Sequence, residues 1–286
     1  GPVGIAWESG LLNGLADSGV DVSTADFIMG TSAGSFVGAR LAMGVDPRTF
    51  AEPFINAAVG EKSPDRPARP SAPPADLTGL MKLMADAQSG AIPADEAMKA
   101  LGKYSRESKT IAEDEFVASF GANFAGLSED FWPSRPYACT AVDTESGEFK
   151  LWNAEAKVGL KRAVSSSCSV PGVYPPVTIN GRRYMDGGMR SGTNADLAKG
   201  YDKVLVVIVR AGAAAGPQAE RMRARVDAEL KVLTDAGAKV EAIGPDEGSI
   251  AAMGVNLMDF RKRPAAAAAG LAQGRAQAAA LKAFWG

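Results

Sequence analysis

The sequence contains no histidine among its 286 residues. Histidine titrates near neutral pH without help from its surroundings, and it is the commonest general base and metal ligand in proteins. Its absence therefore excludes, within these residues, every Ser-His-Asp or Cys-His enzyme and every zinc or haem site ligated by histidine.

The sequence also has few cysteines, no long apolar run and a small net charge. Cys139 and Cys168 are the only two cysteines, and we interpret them as reduced thiols, with a single disulfide bridge as the alternative. No apolar run approaches the roughly 18 residues that a membrane span needs. The 31 Lys+Arg and 33 Asp+Glu nearly cancel, which argues against a strongly basic nucleic-acid binder.

What is present is an ordinary globular composition, 46% hydrophobic and 22% charged, with alternating helical and strand patterns. In chain order the patterns predict a helix over 5–19, a strand over 26–29, a helix over 36–44, helices over 76–124, a hairpin over 136–153, a strand over 203–209, a helix over 218–235, a strand over 240–243 and a helix over 265–284. Because strands alternate with helices, we expect an α/β fold with a mostly parallel central sheet.

Two segments interrupt this alternation. Five prolines fall between residues 63 and 75, which predicts a loop. The following block, 76–124, shows helical spacing of its leucines, and we expect it to be a cap inserted beside the sheet. The whole chain, 1–286, is then a single domain that carries this loop and this insertion.

Residues 30–34 read Gly-Thr-Ser-Ala-Gly, a G-x-S-x-G between a predicted strand and a predicted helix. In such a turn the serine hydroxyl is exposed on a strained backbone, and the glycines let the two segments cross closely. The helix that follows directs free amides and its positive dipole end at the hydroxyl. Ser32 is therefore a candidate nucleophile, and a turn packed with small residues is the alternative.

A serine nucleophile needs a base, and without histidine that base must be a carboxylate or a lysine. Asp186 is the best candidate, because a short apolar segment runs into Asp186-Gly187-Gly188 and the two glycines give the backbone room around the carboxylate. A plain Asp-Gly turn is the alternative interpretation. Burial would raise the basicity of this carboxylate toward what proton abstraction requires.

These residues together resemble the patatin-like phospholipases, a family of lipid acyl hydrolases with a Ser-Asp dyad. The resemblance is carried by the G-x-S-x-G, by the D-G-G, by the small-residue and proline segment 165–177 before it, and by Asn194 after it. It implies a three-layer α/β sandwich, Ser32 as nucleophile, Asp186 as general base, a lipid or acyl-ester substrate and no metal or organic cofactor.

The family's oxyanion loop reads G-G-G-x-[RK]-G after its first strand. Here Gly1 and Gly4 correspond to the last two glycines, and Val3 stands where the family usually has a basic residue. The resemblance implies that amides around Gly1, Gly4 and Ala33 hold the oxyanion, and we expect the family's first strand to lie upstream of residue 1.

The sequence leaves two other functions open. A patatin-fold protein that has lost catalysis and binds lipid or acts as a scaffold would also explain the incomplete glycine loop. A nucleotide-binding loop at the Gly-rich start is disfavoured, because the sequence has no G-x-x-x-x-G-K-[ST]. We expect a cytoplasmic protein with no nucleic-acid partner; peripheral membrane contact, secretion and the oligomeric state stay open.

Overall fold

A computed structural model of the chain describes residues 1–56, 77–120, 123–210 and 217–286. The Pro-rich loop predicted over 63–75 lies outside the described residues. In chain order the helices are α1 (Pro2–Asp17), α2 (Ala33–Ala42), α3 (Glu52–Ile55), α4 (Thr78–Ser89), α5 (Ala94–Glu107), α6 (Glu113–Ser119), α7 (Leu160–Ser167), α8 (Pro217–Asp235), α9 (Glu247–Met253) and α10 (Arg263–Trp285). The strands are β1 (Ile28–Gly30), β2 (Tyr137–Asp143), β3 (Phe149–Trp152), β4 (Val177–Ile179), β5 (Arg182–Asp186), β6 (Lys203–Val207) and β7 (Lys239–Ile243).

The chain divides into two compact units. The first comprises Gly1–Met29, Phe36–Glu61 and Thr193–Gly286, and the second comprises Gly30–Ser35 and Lys62–Gly192. The G-x-S-x-G and the D-G-G both belong to the second unit, so that unit contains both residues predicted to form the dyad.

Helices α1 and α10 pack closely against each other in the first unit. On α1, a Cβ at Gly10 would lie 2.1 Å from the Ala267 carbonyl oxygen, and on α10 a Cβ at Gly270 would lie 2.3 Å from the Trp7 carbonyl oxygen. Only glycine permits backbones to approach this closely. Gln273 of α10 fixes the pair further, because its Oε1 accepts the Trp7 Nε1 at 3.2 Å.

The first unit also contains the pair of strands β6 and β7. They are parallel, with Lys203 opposite Lys239 and Val207 opposite Ile243, and α8 connects them. This crossover agrees with the prediction for this stretch, since parallel strands need a long connection, usually a helix.

The prediction of a mostly parallel central sheet is wrong for the sheet of the second unit. Its strands β2, β5 and β4 lie side by side in that order, and β3 also pairs with β2. The pairs β2–β3, β2–β5 and β4–β5 are all antiparallel. A two-residue turn joins β4 and β5, and such a turn can join antiparallel strands only. Asn180 and Gly181 between β4 and β5 have positive φ angles of 50° and 77°, which suits a type I′ hairpin.

Helices of the predicted cap segment pack against this sheet. Leu80 of α4 and Leu101 of α5 form a buried cluster with Val142 of β2 and Met185 of β5. The helical character predicted for 76–124 agrees with α4, α5 and α6, whereas the role of these helices as a substrate cap stays a prediction. Among the described residues, no helix has the length and apolar character that crossing a membrane would require.

Candidate active site

Ser32 occupies a sharp turn between β1 and α2. Its φ is +54°, in the left-handed region that residues other than glycine seldom adopt. A Cβ at Gly30 would lie only 2.2 Å from the Gly34 carbonyl oxygen, so the two glycines of the motif are required where the backbone crosses itself. Non-glycine residues in this region are characteristic of nucleophile turns and of other functional sites.

Asp186 is the last residue of β5, and 2% of it is exposed. Its Oδ1 accepts the Gly188 amide at 2.7 Å, and the Ser32 side chain lies close enough to its carboxylate to lower the pKa of Asp186. The structure therefore places the two predicted residues near each other, although 154 positions separate them in the sequence (186 − 32).

The glycines after Asp186 are needed for this geometry. A Cβ at Gly187 would lie 2.1 Å from the Thr140 Oγ1, and a Cβ at Gly188 would lie 2.9 Å from the Asp186 Oδ1. The first glycine lets the chain pass β2, and the second lets its own amide reach the carboxylate. The D-G-G is thus more specific than a common Asp-Gly turn.

Burial raises the pKa of Asp186 to about 6, and the hydrogen bonds from the Gly188 amide and the Ser32 hydroxyl act in the opposite direction. Desolvation disfavours the charged form of a carboxyl, whereas donors to the carboxylate favour it. The result is a carboxylate that is ionised at neutral pH and is a stronger base than an exposed aspartate.

Several buried side chains support the serine turn from β2. Thr31 and Thr140 share a hydrogen bond between their Oγ1 atoms at 2.7 Å. The Tyr137 hydroxyl donates to the Ser35 carbonyl oxygen at 2.6 Å, and burial raises the pKa of Tyr137 well above its usual value. Tyr137 is therefore a neutral phenol that acts as a donor beneath the turn.

The residues predicted to hold an oxyanion lie in different parts of the chain. Ala33 is the first residue of α2, and its amide finds no acceptor among the described residues. Gly1 is the N-cap of α1 and Gly4 lies in its first turn, both in the first unit. The amide of Val3 donates to the Leu257 carbonyl oxygen at 3.1 Å. Asn194, also in the first unit, is fully buried with φ +51°.

Sequence reasoning missed the side chains that surround the Ser32 peptide group. Ser167, at the end of α7, accepts the Ser32 amide at 3.0 Å. Ser35 and Cys168 contact the Ser32 carbonyl oxygen. The small-residue segment 165–177 indicated that this part of the chain is important, but its sequence does not show which of its serine hydroxyls contacts the Ser32 turn.

Both cysteines are buried, and neither forms a disulfide bridge. Within the residues that the structure describes, no group of three or more acidic or cysteine side chains is placed to hold a metal ion.

Comparison with known proteins gives one family. The family model described as Patatin-like phospholipase matches residues 1–199, which is more than half of the chain. The match includes the G-x-S-x-G, the D-G-G and Asn194. No curated protein matches the chain.

Proposed function

The chain belongs to the patatin-like phospholipase family, and on that premise we propose that it is a serine hydrolase that cleaves acyl esters of lipids through Ser32 and Asp186. Membership itself implies lipid acyl hydrolase activity. The finer proposal rests mainly on one observation: a buried carboxylate close to the side chain of a serine in a left-handed turn.

The first half of the proposed reaction uses Ser32 and Asp186 in turn. Asp186 takes the proton of the Ser32 hydroxyl while its oxygen attacks the ester carbonyl, which forms a tetrahedral oxyanion. When the intermediate collapses, the C–O bond to the alcohol breaks, and the leaving alcohol receives the proton from Asp186. The product is an acyl ester on Ser32.

Water completes the cycle in the second half. Asp186 accepts a proton from water, the hydroxide attacks the acyl carbonyl, and the bond to the Ser32 oxygen breaks. The proton returns to Ser32 and the fatty acid leaves. A positioned base contributes about 10²–10⁴-fold to such steps, and a pKa near 6 keeps Asp186 ionised at pH 7 while raising its basicity.

Stabilisation of the oxyanion is the other requirement. The free Ala33 amide at the N-terminus of α2 supports a role for this residue, since the first amides of a helix carry partial positive charge. The glycines at positions 1 and 4 are the family-based candidates for the remaining donors. We extend the proposal to α4–α6, which would cover the substrate's acyl or head group, and to a peripheral contact with a lipid surface.

A catalytically impaired lipid-binding protein is the second candidate function. The observation that favours it is Val3, which stands where the family loop usually carries a basic residue. Lipid binding by a protein that neither hydrolyses esters nor reacts with a serine probe would support this candidate.

Replacement of the proposed base tests the mechanism. Asp186→Asn keeps the shape of the side chain but cannot accept the proton, so we expect p-nitrophenyl ester turnover to fall at least about a hundredfold. Asp143→Asn is the matched control, because Asp143 is also a buried aspartate in this sheet and bonds Arg182 rather than Ser32.

The control should keep turnover near the wild-type value in the fraction that folds. Near-normal activity of Asp186→Asn would show that another residue, such as a lysine, is the base.

A further inference from the structure

Side chains make most of the hydrogen bonds to the backbone amide and carbonyl oxygen of Ser32. Its amide donates to the Ser167 Oγ at 3.0 Å. Its carbonyl oxygen accepts from the Ser35 amide at 3.0 Å, from the Ser35 Oγ at 2.6 Å and from the Cys168 Sγ at 3.2 Å. Hydrogen bonds therefore hold both ends of the residue whose φ lies in the left-handed region.

We propose that Ser167 is a positioning residue for Ser32: its hydroxyl oxygen holds the Ser32 amide and keeps the turn in its left-handed conformation. A left-handed non-glycine residue persists only where its surroundings over-determine it. The inference rests on the proposed function, because the orientation of the Ser32 hydroxyl matters for catalysis only if Ser32 is the nucleophile.

The backbone carbonyl oxygen of Ser32 has more hydrogen-bond partners than its amide, and this difference makes Ser167 the important partner. The carbonyl oxygen has three donors, so the loss of one leaves the others. The amide has the Ser167 oxygen as its acceptor in a partly buried hydrogen bond, and a donor shielded from water that loses its partner bears a desolvation penalty. Rotation of the Thr31–Ser32 peptide toward a new acceptor would turn the Ser32 hydroxyl away from Asp186.

The hydrogen bond to Ser167 also distinguishes the two amides of the turn. The Ser32 amide is occupied by Ser167, whereas the Ala33 amide finds no acceptor among the described residues. Ser167 thus leaves the Ala33 amide, rather than the Ser32 amide, available to an oxyanion.

Three consecutive buried serines provide an internal comparison. The Ser165 Oγ donates to the Lys161 carbonyl oxygen at 2.7 Å, within its own helix. The Ser166 Oγ accepts the Trp152 indole at 3.0 Å. Of these neighbours, Ser167 is the one whose hydroxyl contacts Ser32. Ser165→Ala therefore removes a buried hydroxyl of the same kind from the same helix without touching the turn.

The test compares Ser167→Ala with Ser165→Ala in the full chain. For Ser167→Ala we expect kcat on a p-nitrophenyl ester to fall at least about tenfold with KM within about twofold, since the lost bond misplaces the nucleophile. Ser165→Ala should stay within about twofold in both constants. Ser167→Thr, which keeps the hydroxyl oxygen, should recover most of kcat.

A second readout is independent of activity. Amide hydrogen exchange at Ser32, followed by NMR, should become at least about tenfold faster in Ser167→Ala and stay unchanged in Ser165→Ala, because only the first variant removes the acceptor. If Ser167→Ala does not fold, the near-isosteric Ser167→Cys carries the same comparison, since sulfur is a weak acceptor.

The outcomes separate the two proposals. Unchanged kcat and unchanged Ser32 exchange in Ser167→Ala overturn the role of Ser167, as does an equal loss in Ser165→Ala. A wild-type protein that neither hydrolyses esters nor labels with a serine probe overturns the proposed function, and Ser32 exchange then still decides whether Ser167 holds the turn.

Discussion

At the scale of single residues, the raised pKa of Asp186 gives the proposed hydrolysis a defined pH dependence. The proposed base must be ionised, and burial raises its pKa to about 6. We therefore expect kcat/KM to rise about tenfold per pH unit below 6 and to level off above it. A profile of p-nitrophenyl ester hydrolysis between pH 4.5 and 8 measures this; a flat profile down to pH 5 would show that a group with a lower pKa is the base.

A second buried carboxyl affects stability rather than chemistry. Glu8 of α1 is 5% exposed, its Oε2 has no partner among the described residues, and burial raises its pKa to about 8. Because the folded state keeps a proton that the unfolded chain releases above its ordinary value near 4.5, this contribution to stability is complete at low pH and is lost as pH rises toward and through 8.

Glu8→Gln removes this titration while it keeps the size of the side chain. The variant should gain free energy of unfolding relative to wild type as pH rises from 5 to 8, by up to about 1.4 kcal/mol per pH unit. Urea unfolding at three pH values gives the difference. Parallel pH dependences of the two proteins would contradict the raised pKa of Glu8.

At the scale of elements, the crossing of α1 and α10 depends on glycine. A Cβ at Gly14 would lie 2.3 Å from the Leu271 carbonyl oxygen, and that oxygen belongs to backbone that cannot rotate away. Overpacking of this kind typically costs about 1–3 kcal/mol. We expect Gly14→Ala to lower the free energy of unfolding by about 2 kcal/mol or more, as measured by thermal or urea unfolding.

Gly248 offers the control for this substitution. It lies in the first turn of α9, where the nearest atom to an added Cβ is the Asp246 Oδ1 at 3.6 Å, an ordinary van der Waals distance. Gly248→Ala should be neutral or slightly stabilising, because alanine has the higher helix propensity. Equal destabilisation by both variants would mean that the helix crossing is not close.

The helices and the first hairpin could be predicted because their signals are local. Apolar spacing indicates α1 and α10, and turn residues indicate the β2–β3 pair. The antiparallel β4–β5 pair was missed, although Asn180-Gly181 is a strong hairpin signal. Without that hairpin, the alternation of strands and helices suggested parallel crossovers, which occur for β6 and β7, whereas the pairs β2–β3, β2–β5 and β4–β5 are antiparallel.

At the scale of the whole molecule, the site is assembled from distant parts of the chain. The sequence could single out Ser32 and Asp186 because each lies in a short motif whose glycines the backbone geometry requires, whereas their catalytic roles stay a prediction. The lack of histidine also helped, because it limits the possible bases for Ser32 to carboxylates and lysines. Ser167 could not be predicted, because 135 residues separate it from Ser32 and only the fold brings the two together.

Covalent labelling with a fluorophosphonate tests the central claim most directly, because this reagent reacts with activated serines. We predict a single adduct on the wild-type chain, mapped by mass spectrometry of its peptides to Ser32, and no adduct on Ser32→Ala at the same reagent concentration. A wild-type chain that stays unlabelled, or a Ser32→Ala variant that labels as fast as wild type, would contradict the assignment of Ser32 as the nucleophile.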